Sequence, residues 1–227
     1  MSRSVSSALA PVVWDLPLRV FHWGLVICVI VSIASAKLGA VSVHERSGLA
    51  VMGLVVFRLV WGFAGSQTAR FSGFVKSPAA VLASARRLIS GEPDNQAGHS
   101  ALGGYATLLL LGVCLVMAVT GSFSTDDILY DGPFAHLAPD YVKTASRLHH
   151  LTEKLVFVVI ILHLLALVVY FWRLKKNLIP AMVTGRRAGA TGMSGQLSPL
   201  RTAAGLTLMT GLVFLFQLAP LLRPSLF

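Results

Sequence analysis

Charge is scarce in this sequence: 12% of the 227 residues are Asp, Glu, Lys or Arg, 55% are hydrophobic, and the mean hydropathy is +0.75. An ordinary soluble domain carries about 25% charged residues, so that class is excluded. Acidic residues are the rarest charge, nine against nineteen Lys and Arg, giving a net charge of +10. Cysteine occurs twice, as Cys28 and Cys114, each in the middle of an apolar run where a small apolar side chain is the usual role. No disulfide is expected. No secretory signal is read either, because PVVWDLPLR at 11–19 is neither an apolar leader core nor followed by a small-residue cleavage pattern.

What is present is apolar length. Five stretches are long enough to cross a bilayer, roughly 18–36, 43–64, 100–122, 148–172 and 202–222. The basic residues follow the loops between them. Twelve, from Arg3 to Arg201, fall on the side of the N-terminus, against Lys37, Arg46, Lys143, Arg147 and Arg223 on the other. By the positive-inside rule the N-terminus is cytoplasmic. Once topology has used these charges, no basic face with interleaved aromatics remains, so nucleic acid is not an expected partner.

The fourth stretch, RLHHLTEKLVFVVIILHLLALVVYFW from Arg147 to Trp172, carries three histidines without proline or glycine. His149 and His163 are fourteen residues apart, which on a helix puts them ~40° apart around the axis with ~21 Å of rise. They share a face at two depths. His150 is turned ~140° from His163 and is the poorer partner. His22 lies at the cytoplasmic edge of the first stretch and His44 at the outer end of the second. Two transverse pairs follow, His44 with His149 and His22 with His163. Ionisable groups inside a span are costly and by default point to function. Two donors per centre are too few for zinc, which takes four ligands, or three and a water. A pair of imidazoles suits the two axial positions of a haem iron, an arrangement for electron transfer rather than oxygen activation. The absence of C-x-x-C-H leaves side-chain ligation as the way to hold such haem.

Around these lie groups with two readings each. Arg19, three residues before His22, either snorkels or neutralises an anionic group beside it. Arg58 sits near the inner end of the second span and either snorkels or meets an anionic cofactor group. His99, at the inner end of the third span, is either a helix-end polar residue or a contact for a cofactor. That third span has no ionisable residue and reads as support. SPAAVLASARRLIS, from 77 to 90, reads as an amphipathic piece on the membrane surface. The 122–146 loop gathers Asp126, Asp127, Asp131 and Asp140. Residues 188–201 read as a flexible linker to a fifth helix in 202–227.

WDLPLRVFHW, VHE, FRLVWGFAGS with ARF, GHSALGG, HHLTEKLVFVVIILH and NLIPAMVTGRR together resemble the prokaryotic cytochrome b561 family over roughly residues 12–187. The resemblance implies an all-α, integral membrane four-helix bundle in residues 1–187. It implies two non-covalent haem b groups on His22, His44, His149 and His163, in a bacterial inner membrane. His99, Arg19 and Arg58 become contacts for haem propionates or a quinone. The sequence departs from the family at His150, where an acidic residue usually follows the first histidine of the fourth helix, which leaves His150 open as a ligand in place of His149. The implied role is electron transfer between a quinone pool and a periplasmic cytochrome c or a dehydrogenase or hydrogenase subunit, more as a subunit than as a stand-alone enzyme. A self-contained superoxide:ubiquinone oxidoreductase is the alternative. A metal or solute transporter would instead require broken helices at midplane, which the fourth stretch lacks.

Overall fold

The computed structural model describes residues 10–92, 96–126 and 130–223. Arg3 and Asp127 lie outside these residues, as do the first nine and last four residues of the expected domain bounds. Among these residues eight α-helices follow in order: α1 Leu16–Lys37, α2 Val41–Ala64, α3 Phe71–Phe74, α4 Pro78–Ser90, α5 Ala101–Ser122, α6 Val142–Leu174, α7 Ile179–Thr184 and α8 Pro199–Gln217. Short 3-10 turns occupy Ala135–Leu137, Pro139–Tyr141 and Ala219–Leu222.

The helix starts are written locally. Asp15 caps α1, accepting from the Leu18 N–H at 2.7 Å, and Pro17 sits in the first turn where its missing N–H costs nothing. Ser77 and Ser198 do the same for α4 and α8, each followed directly by proline, and Ser100 caps α5. α4 ends on Gly91 at φ 79°, a left-handed cap that glycine adopts without a Cβ penalty.

Among the described residues five helices, α1, α2, α5, α6 and α8, are long and apolar enough to cross a membrane, and the chain is a multi-pass helical membrane protein. They start and stop close to the expected spans, except that α6 begins six residues earlier and makes one unbroken helix of 33 residues. The bundle is centred on α2. In its most apolar window 61% of residues are buried, against 11–22% in the other four, because α2 packs on α1, α5 and α8 together while α6 packs mainly on α5.

The fifth span is an integral part of this packing. A Cβ on Gly53 of α2 would come within 2.7 Å of the Val213 backbone of α8, so glycine is what lets the two axes approach. Both ends of the pair are fastened: Arg201 donates to the Ala64 carbonyl at 2.7 Å, and Arg46 and Gln217 exchange hydrogen bonds at 2.6 and 2.9 Å. The stretch read as a flexible linker has no regular structure before Pro199, yet its backbone is tied to the bundle. Gly195 donates to the Val12 carbonyl at 2.8 Å, Ser194 to the Gln67 side chain at 3.1 Å, and Ala97 to the Thr191 carbonyl at 2.8 Å.

Candidate functional site

Where the histidines fall divides the bundle into two ends. The near end, where the chain enters, carries His22, His163 and His99; the far end carries His44 and His149. At the far end, α2 and α6 bring the His44 and His149 rings to a centroid separation of 6.0 Å with planes at 81°. Both rings are oriented from behind. His44 Nδ1 is 2.9 Å from the Ser32 carbonyl of α1, and His149 Nδ1 is 3.0 Å from the Met117 carbonyl of α5. A carbonyl only accepts, so each Nδ1 must carry the proton, and each Nε2 keeps its lone pair. This back-bonding is the usual way a ligating imidazole is held.

α5 adds a further adjustment. Gly121 lies against the His149 ring, where a Cβ would meet Cε1 at 2.8 Å and Nδ1 at 3.0 Å. Thr120 Oγ1 sits 3.4 Å from Nδ1, with its own proton directed to the Val116 carbonyl at 2.7 Å. The span without a charged residue or histidine thus supplies the seat for the histidine of its neighbour. His150 is exposed, with its ring 6.2 Å from that of His149.

The near end is arranged differently. His22 and His163 lie within electrostatic range of one another, and His99 lies within range of both and of Arg58. His99 is half-buried between Trp14 and Phe74, at ring distances of 4.7 and 4.8 Å, with its Nδ1 atom out of contact with solvent. Burial in this aromatic slot, reinforced by Arg58 and the two histidines, lowers its pKa from 6.5 to about 3, so it is neutral. Arg58 is 1% exposed and does not snorkel. Its guanidinium lies over Phe71 at 5.0 Å and Phe74 at 5.9 Å and donates to the Ala69 carbonyl at 3.0 Å. The His22 Nδ1, His99 Nδ1 and Arg58 Nη1 atoms are buried without a hydrogen-bond partner. Arg19 is turned toward α7, donating to the Val183 carbonyl, with its Nε buried and unpartnered.

Asp15 does more than cap α1. It is 3% exposed and accepts from Ser66 at 2.5 Å and from the Trp61 indole at 3.2 Å, fastening the start of α1 to the end of α2. Gly121, Met117 and Ser32 were not legible in the sequence as site residues: two act through backbone carbonyls, and Gly121 acts by having no side chain.

These residues fit haem. Two imidazoles bound to one ion at about 2.0–2.1 Å stand about 6 Å apart ring to ring, near the observed separation of the far pair. Among the described residues no three His, Cys, Asp or Glu side chains converge on one point, and the far end offers two facing imidazoles, a number that a macrocycle would complete with its own nitrogens. At the near end, buried unpartnered donors include a guanidinium, which matches an anionic substituent.

Fold and site together define a helical membrane protein with paired intramembrane imidazoles. The sequence profile described as prokaryotic cytochrome b561 matches residues 13–185, well over half of the chain, and the chain belongs to that family, the membrane b-type cytochromes of electron transfer. No curated protein and no solved structure matches it.

Proposed function

We propose that the protein is a di-haem cytochrome b that carries electrons across the membrane between a quinone pool and a redox partner, a periplasmic cytochrome c or a dehydrogenase or hydrogenase subunit. His44 and His149 hold the far centre, and His22 and His163 the near one. Bound haem supplies one-electron ferric–ferrous chemistry. The observation that carries this reading is the far pair, where both imidazoles are back-bonded through Nδ1 to a carbonyl and stand 6.0 Å apart with Nε2 free.

The chain's own residues do the rest. The Ser32 and Met117 carbonyls hold the tautomer in which Nε2 can ligate, and raise ligand basicity. Arg58, with Nη1 unpartnered, neutralises an anionic substituent at the near end, and His99 donates or accepts there as a neutral ring. The ~21 Å rise between His149 and His163 spaces the two centres along one helix. The basic near end is cytoplasmic in a bacterial inner membrane, and the far loop, with Asp126, Asp131 and Asp140, docks a basic partner. Those aspartates also disfavour the superoxide reading, which needs to attract an anion at that end.

The test is a reduced-minus-oxidised spectrum with a pyridine haemochrome count on purified protein, followed by reduction with a quinol. About two low-spin b haems per chain, reducible by quinol, is the expected result. Well-folded protein without haem would overturn the reading.

A further inference from the structure

The region of the chain that follows the family match ends in a contact with the far site. α8 carries the chain to Arg223, whose Nη2 makes an ion pair with Glu45, the residue after His44. The Glu45 side chain is 8% exposed, a buried carboxylate whose charge needs a partner. The same Nη2 donates to the Asp131 carbonyl at 2.7 Å, and the guanidinium lies 5.5 Å over the Tyr130 ring. Tyr130 also lies beside Glu45, and burial and the neighbouring carboxylate push its pKa up.

The loop held by these contacts is itself seated on the support of His149. Phe134 donates to the Ser122 carbonyl at 2.9 Å, Gly132 to the Ser124 carbonyl at 2.7 Å, and the Ser146 hydroxyl links Thr125 to α6. Gly121, which leaves room for the His149 ring, is the residue before Ser122. One guanidinium therefore joins the neighbour of His44 to the loop that covers the neighbours of His149.

We infer that Arg223 is a positioning residue for the His44–His149 site: it closes a clasp of Glu45, Tyr130 and Asp131 that holds the far loop over both histidines. No segment within the family match supplies this cation, so α8 is a built-in part of the far site rather than only a further span.

The test compares full-length wild type, Arg223→Met, Arg223→Lys and Arg223→Met with Glu45→Gln in detergent. Deuterium exchange of the 130–137 amides should rise about tenfold or more in Arg223→Met, with the amides of α1 unchanged. Arg223→Lys keeps the charge but not the planar fork and should fall between. Glu45→Gln should recover part of the Met effect, because no buried carboxylate is then left unpaired. In a redox titration one midpoint potential should fall in Arg223→Met and return in the double variant, with the other fixed. Unchanged loop exchange in Arg223→Met overturns the inference, as does faster exchange spread evenly over all helices, or both potentials moving together. Only the redox arm rests on the proposed function. Haem missing from protein whose loop still responds would sink that function and leave the clasp standing.

Discussion

The two ends of the bundle use histidine in opposite ways. At the far end each imidazole is fixed from behind by a backbone carbonyl, Ser32 for His44 and Met117 for His149. At the near end the His22 and His99 Nδ1 atoms and the Arg58 Nη1 atom are buried without partners. Buried polar groups are nearly always satisfied, and leaving one unmade costs about 1–3 kcal/mol, more when charged. The far end is organised by the protein alone. In the proposed reading, the near-end polar groups are completed by the haem that binds there.

The largest effects should come from the ligand pairs. His149→Ala and His44→Ala should each remove the far haem, lowering the haemochrome count from about two per chain to about one. His22→Ala and His163→Ala should remove the near one instead. His150→Ala should retain both, because its ring is exposed. Loss of haem in His150→Ala with retention in His149→Ala would reverse the assignment within α6.

Next in size is a variant that touches no ligand. Gly121→Ala sets a methyl 2.8 Å from His149 Cε1 and 3.0 Å from Nδ1, distances at which something must move. The ring is tied to Met117 and cannot retreat without losing that hydrogen bond. The expected result is partial loss of the far haem or a high-spin fraction in the oxidised spectrum, with the near haem intact. A normal low-spin spectrum at full occupancy would show that the far end is less rigid than its hydrogen bonds imply.

The near end answers to pH. His99 is held neutral with a pKa of about 3, against 6.5 for the unfolded chain. The unfolded state therefore binds the extra proton first, so the contribution of His99 to stability is fully present above pH 6.5 and is lost as pH falls toward 3. The slope approaches about 1.4 kcal/mol per pH unit within that window. Thermal melts from pH 7.5 to 4.5 should show His99→Phe losing less stability on acidification than wild type. Parallel curves would mean that the aromatic slot admits the charged ring.

How much of this was legible in the sequence follows the same division. Apolar length showed the spans, and the fourteen-residue interval in α6 set His149 and His163 on one face; the structure turns His149 toward His44. Charge counting set only an expected orientation, since Lys and Arg side chains are the signal itself. What could not be read acts without a side-chain signature. The Ser32 and Met117 carbonyls belong to every residue type, and Gly121 matters only against a ring 28 residues later in the chain. Arg58 illustrates the middle case: its type and depth left snorkelling and burial open, and only the placement of Phe71 and Phe74 around it decided for burial.

The smallest effect should separate the two groups near His149 Nδ1. The Met117 carbonyl is at 3.0 Å, a normal hydrogen-bond length, whereas Thr120 Oγ1 is at 3.4 Å and spends its proton on Val116. If the carbonyl orients the ring, Thr120→Val, which keeps the shape and removes the hydroxyl, should leave both haems bound and low-spin and cost about 0.5 kcal/mol of stability or less. The comparison with Gly121→Ala is then decisive, because the two positions are adjacent on α5 and differ only in how they meet the same ring. Should Thr120→Val disturb the far haem as strongly as Gly121→Ala, the hydroxyl is the orienting group, and the backbone alone does not organise that end.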